Sequence, residues 1–184
     1  MSQHHALRFA LVVSVLLITC GAALKPARAL EYLADATPDG KPHILVTGEF
    51  MQNEDLDRFA RLVATTGAEN VTFNSPGGSV YTAMELGRMI RRLDLGTIAV
   101  RQLECASACA LAFLGGTMRY AQPGSIGVHR SSFTAEVQGS AADQVAAMQQ
   151  VTADVIPFLD GCRPCASRCC FVLRQHRHSL SVRQ

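Results

Sequence analysis

Between residues 43 and 158, short β-branched apolar runs alternate with stretches whose apolar residues recur every three or four positions. This alternation constrains the fold more than any other feature. Strand–helix repeats satisfy their backbone and bury their apolar faces as a largely parallel sheet covered by helices. Residues 43–47 (HILVT) read as a strand that ends at Gly48. Residues 54–66 read as a helix, with Leu56, Phe59, Ala60, Leu62 and Val63 at helical spacing and Gly67 as its stop. Residues 71–73 (VTF) form a second strand that runs into Asn74-Ser75-Pro76-Gly77-Gly78, a tight turn. A helix over 80–93, a strand over 97–100 and a small, apolar helix over 106–114 follow, the last stopped by Gly115-Gly116. Short strands at 118–121 and 125–128 flank Pro123-Gly124, and a final helix spans 141–158. The expected class is α/β, with repeated β-α units and mostly parallel strands.

A chain of 184 residues that is 48% hydrophobic suits one domain with a real core, and is too apolar to be disordered. Its net charge of +2 conceals three unlike pieces. Residues 1–29 carry Arg8, Lys25 and Arg28 and no acid. Residues 30–160 carry 9 basic and 15 acidic side chains, and residues 161–184 carry five Arg and no acid. An acidic central domain argues against nucleic acid as a partner, because phosphate binding rewards clustered Lys and Arg.

The first piece reads as a leader. Arg8 precedes 16 apolar residues, from Phe9 to Leu24, and Ala27-Arg28-Ala29 follows as a small-x-small site. A membrane-spanning helix needs about 20 residues. Basic start, apolar middle and A-x-A end describe a secretory signal peptide cleaved after Ala29, so the domain is expected outside the cytoplasm. The alternative is an uncleaved anchor that associates with the membrane.

Two places where a strand hands over to a helix are rich in small residues: Ser75-Pro76-Gly77-Gly78 and Cys105-Ala106-Ser107-Ala108-Cys109. At such junctions free backbone N–H groups and the positive helix end point outward, and glycine leaves them uncovered, so an oxyanion can be held there. His129 stands 22 residues after Ser107 at the end of a strand run. Each motif alone has a plainer reading, as a turn, a crowded helix start or an ordinary histidine. Their ordered occurrence points to chemistry.

That ordered set resembles the Clp-protease and crotonase superfamily, and more narrowly the Clp-type serine peptidases and their exported, periplasmic relatives. The residues that carry it are Phe73-Asn74-Ser75-Pro76-Gly77-Gly78-Ser79-Val80, Cys105-Ala106-Ser107-Ala108-Cys109-Ala110, Ala112-Phe113-Leu114-Gly115-Gly116 and Pro123-Gly124-Ser125-Ile126-Gly127-Val128-His129. They cover residues 43–158. The resemblance implies a ClpP/crotonase-like fold and a peptide or protein substrate. It implies Ser107 as nucleophile, His129 as general base, and Gly78 and Ala108 as N–H donors to the oxyanion. It also implies assembly of copies into an oligomer through the handle helix at 141–158, and no cofactor. Peptidases of this fold that use a serine–lysine dyad are excluded as a template, because Lys occurs only at 25 and 41. Two alternatives are a non-catalytic protein of this fold that binds peptides or a partner, and a crotonase-type enzyme acting on acyl-thioesters.

A triad needs a carboxylate to orient its histidine. Where the family places that acid, about fifty residues beyond the histidine, this chain has its Arg-rich tail. Glu136, Asp143, Asp154 and Asp160 remain, with Asp154 and Asp160 named as weak candidates. The tail from about residue 162, CRPCASRCCFVLRQHRHSLSVRQ, lacks amphipathic period and is what a shifted reading frame produces, which would leave the domain incomplete at its C-terminal end. A zinc site from Cys162, Cys165, Cys169, Cys170, His176 and His178 is the functional alternative, but the spacing matches no strong pattern. Cys105 and Cys109 flank Ser107. Four-residue helical spacing lets them form a disulfide, and two small buried thiols are the alternative.

Overall fold

The structure, a computed structural model, describes residues 29–37, 39–129 and 140–163. These build a five-stranded sheet with helices. Strand β1 (Glu31–Ala36) pairs antiparallel with β2 (Pro42–Thr47). β2 then pairs in parallel with β3 (Asn70–Asn74), β3 with β4 (Gly96–Ala99), and β4 with β5 (Arg119–Ala121). Helix α1 (Leu56–Thr66) joins β2 to β3, α2 (Val80–Arg92) joins β3 to β4, and α3 (Cys109–Leu114) joins β4 to β5. The long α4 (Ala141–Gly161) follows. The class is thus α/β with a mostly parallel sheet, as the alternation dictates.

Local chemistry sets the element ends. Asp55 caps α1 by accepting from Asp57 N, and Gly67 closes the helix at φ 66°, a left-handed conformation that glycine adopts at little cost. Ser79 caps α2 by accepting from Thr82 N. Ser140 and Asp143 form a reciprocal capping box at the start of α4, and the bonds from Ser140 hold the Asp143 carboxyl below its ordinary range. The core lies between the sheet and α1–α3. Ile44, Val46, Val71 and Phe73 from the strands, Phe59 from α1 and Leu86 from α2 are essentially inaccessible to solvent. Each such side chain contributes about 1.5–3 kcal/mol by leaving water. Helices α2 and α3 cross backbone to backbone. A Cβ on Gly115 would run into the Gly87 backbone, so the crossing demands a glycine at 115 and seats α3 deep in the molecule.

Four expectations are corrected. Residues 31–36 form a strand that apolar patterning does not announce, because it is a solvent-facing edge carrying Glu31 and Asp35. The third helix begins at Cys109 rather than 106, because residues 106–108 are spent on a turn described below. The strand expected at 125–128 reduces to a single bridge at Gly127 after the Pro123-Gly124 turn, where Gly124 has φ 79°. The last helix continues past 158 and through Pro157 to Gly161; Pro157 is exposed, so the amide bond it cannot make is left on the solvent side. Cys162 then packs against Met84 and Phe158, and its carbonyl accepts from Arg91 and Arg119 at 3.2 and 2.8 Å. Among the described residues no helix is long and apolar enough to cross a membrane. Residues 1–28 of the leader, Glu136 and the cysteines and histidines of the tail beyond residue 163 lie outside the described residues.

Candidate active site

Parallel strands direct all their carboxyl ends to one edge of the sheet, and there the loops continue to pair after the strands have ended. Isolated parallel bridges join Phe50 to Gly78, Ser75 to Cys105, and Ala106 to Gly127. The strands run in chain order with no reversal, so the site arises from this second tier of pairing and not from a switch point in strand order.

The tier fixes a sharp bend around Ser107. Asn74 Oδ1 accepts from Glu104 N at 3.1 Å, Ser75 N donates to Glu104 O at 2.7 Å, and Ala106 N donates to Ser75 O at 3.1 Å. On the other side, Ser107 N donates to Gly127 O at 2.8 Å and Gly127 N to Cys105 O at 2.9 Å. Held on both flanks, Ser107 adopts φ 55°, a left-handed conformation that costs an L-residue about 1–3 kcal/mol and persists only where neighbours over-determine it. Cys105 and Cys109 are joined by a disulfide that spans this bend, with Cα atoms 5.3 Å apart. The link ties a bridged, extended residue to the first helical one, so the helical spacing invoked from sequence is not the geometry that brings them together.

The glycine loop lies directly on the bend. A Cβ placed on Gly77 would sit 2.7 Å from Ser107 Cβ, 2.8 Å from Ala106 O and 3.0 Å from Ala108 N, and Gly77 has φ 108°. Gly78, at φ 125°, lies against the Phe50 backbone. Phe50 N donates to Gly77 O at 2.8 Å, and Ser79 N to Phe50 O at 2.6 Å. With those carbonyls taken, the N–H groups of Gly78 and Ala108 donate to no group among the described residues. Ala108 is only 2% exposed. A backbone N–H that is both buried and undonated is uncommon and calls for an acceptor.

His129 is exposed and stands two residues beyond Gly127, whose bridge partner is Ala106. The bridge fixes Gly127 beside the bend, two residues ahead of the histidine. The weak candidates for a third acid are engaged elsewhere. Asp154 accepts from Tyr81 Oη at 3.0 Å and from Gln150 Nε2 at 3.1 Å; the bond to Asp154 pushes the Tyr81 phenol up. Asp160 pairs with Arg163 at 3.0 Å. Lys41 lies ahead of β2, at the opposite end of the sheet, beside Asp39. Reasoning from the sequence missed Gly77, which packs on the serine, and Ser75, Asn74, Phe50 and Gly127, which hold the bend. The asparagine-serine-proline-glycine-glycine run was the available signal for three of them.

No protein-family model matches the chain, and no curated protein does. Solved structures to which it is similar include a 1510-N membrane-bound stomatin-specific protease, at 19% identity and a TM-score of 0.45 over 64% of this chain and 59% of that one. A second structure of that protease, in complex with a substrate peptide, gives 19% identity and a TM-score of 0.39 over 58% of this chain and 50% of the other. A probable enoyl-CoA hydratase/isomerase from Mycobacterium abscessus gives 15% identity and a TM-score of 0.33 over 49% of this chain and 45% of that one. The chain spans 59% or less of the length of each.

Proposed function

We propose that this protein is an exported Clp-like serine peptidase that cleaves peptide bonds through Ser107 and His129. The observation that carries the reading is the bend itself: a serine at φ 55°, with two undonated backbone N–H groups, Gly78 and Ala108, on the loops that meet there. A serine hydroxyl is a weak nucleophile and needs a base within reach, and imidazole titrates in the right range. In the proposed reaction Ser107 Oγ attacks the peptide carbonyl while His129 accepts its proton. The oxyanion is received by the N–H groups of Gly78 and Ala108, and the His129 proton passes to the leaving amine. Water, deprotonated by His129, then releases the acyl group and restores Ser107. A fluorophosphonate probe tests this: the wild type is labelled and Ser107→Ala is not. No labelling under conditions where a known serine hydrolase reacts overturns the assignment.

A second reading is a protein of the same fold that binds peptides without turning them over. It is favoured by one observation, that Asp154 and Asp160 are committed to Tyr81, Gln150 and Arg163. Under that reading peptides bind while labelling of Ser107 is absent. Assembly into oligomers through α4 and location outside the cytoplasm belong to the proposal as well. Fractionation and the mass of the native particle check them.

A further inference from the structure

Leu30 is 2% exposed and belongs to the main core, whereas Ala29 just before it is exposed. The backbone nitrogen of Leu30 lies 3.0 Å from Glu54 Oε1, a bond that crosses 24 residues of sequence. A neutral amide satisfies only a fraction of a partly buried carboxylate, whereas an ammonium matches its charge and supplies three donors. Leu30 is also the residue that follows Ala27-Arg28-Ala29. We propose that the chain is cut between Ala29 and Leu30 and that the α-ammonium so released is held by the Glu54 carboxylate. The cut is a hydrolysis: water adds across the peptide bond, the carboxylate stays on Ala29, and Leu30 leaves as the ammonium. The partner is an endopeptidase that reads small residues before the scissile bond, acting on the chain before Leu30 is buried.

The pair has a structural consequence. Glu54 ends the loop between β2 and α1, and that loop also carries Phe50, bonded to Gly77 and Ser79, and Met51, whose carbonyl accepts from Thr82 Oγ1 at 2.8 Å. The new N-terminus is thus anchored at the far end of the loop that shapes the glycine turn of the site. Glu54 faces the amine and favours the ammonium, Arg58 lines the same pocket and opposes it, Glu31 and Tyr32 follow it in the chain, and Asp55 acts on the adjoining Tyr32. Burial and Glu54 push the Tyr32 phenol up, so Tyr32 stays neutral across the range tested. A carboxylate in contact raises an amine above its ordinary value of about 8. An amine whose folded pKa is raised stabilises the fold fully below pH ~8 and ceases to do so as pH rises through the raised value.

The inference rests on the exported reading but not on the peptidase chemistry. Full-length chain is expressed with its leader, fractionated, and its intact mass and N-terminal residue are determined; labelling of Ser107 is read on the same preparation. A chain beginning at Leu30 is expected. Material outside the cytoplasm that keeps Met1, or begins at another residue, overturns the inference and leaves export standing. Material retained in the cytoplasm overturns both. Thermal unfolding of processed wild type and Glu54→Gln is then compared from pH 7 to 11. The stability gap between them is expected to be full at pH 7 and to vanish above the raised amine pKa. A gap that is absent, or constant across the range, overturns the ammonium pair, while labelling of Ser107 decides the peptidase reading separately.

Discussion

The two halves of the candidate site are built differently. The half that carries the proposed nucleophile is locked. Ser107 sits in a bend bonded to Ser75 on one side and Gly127 on the other, closed by a disulfide, and packed under Gly77. The histidine half follows the bridge at Gly127, and His129 two residues on is exposed. The difference shows where preorganisation is concentrated. Oxyanion donors and nucleophile must stand in place before the reaction, because their stabilisation is lost if they have to reorganise. A base needs only to come within hydrogen-bond reach, and catalytic bonds to it often tighten once substrate is bound.

That contrast can be broken by substitution. The largest effect is expected at the histidine half. His129→Ala should lower the rate of fluorophosphonate labelling about 1000-fold. The unfolding midpoint of the same variant separates loss of the base from loss of the fold. An unchanged labelling rate would remove the histidine from the mechanism. Next comes the locked half. Gly77→Ala forces a Cβ onto Ser107 Cβ at 2.7 Å and strains a backbone at φ 108°. It should cost about 3 kcal/mol or prevent folding. Gly124→Ala is the control, with nothing within 4 Å of the added carbon and φ 79°, and should cost about 1 kcal/mol. Urea denaturation of the two variants measures the gap.

The disulfide gives a smaller effect. Replacing both Cys105 and Cys109 by Ala opens a short loop, worth about 2 kcal/mol in the loop-entropy account. If the bridge braces the bend, labelling of Ser107 should slow about tenfold, or ~1.4 kcal/mol in barrier. Stability loss with an unchanged labelling rate would assign the bridge to the fold alone. The smallest change is expected for Asp154→Asn, which can still accept from Tyr81. Stability should move by less than about 0.5 kcal/mol and labelling by less than about threefold. A loss of about 100-fold would instead make Asp154 the missing third acid.

Much of this architecture is legible in the residues. Val71-Thr72-Phe73 declares a buried strand, and Gly67 marks a helix end. The edge strand β1 escapes such reading because its faces are mostly solvated and it has no apolar stripe to declare it. The start of α3 is misplaced for a different reason. Ala106, Ser107 and Ala108 are compatible with a helix, and only pairing of the flanking residues with Ser75 and Gly127 draws them into a bend. Gly77 is read as a turn glycine, but its need to lack a side chain comes from Ser107, thirty positions away in the chain.

The sequence by itself determined the α/β class, most of the element order and the identity of the two small-residue junctions, because periodicity, capping and glycine placement act over a few residues. The order of its motifs also carries the resemblance that implies Ser107, Gly78, Ala108 and His129 as site residues. Only the tertiary structure decided how the junctions meet. It placed Gly77 on the serine, left two N–H groups without donors' partners among the described residues, and drew Asp154 toward Tyr81 and Leu30 onto Glu54. Those contacts join residues far apart in sequence. They are set by the common direction of the strands and by the closure of loops beyond the sheet, which local propensity does not encode.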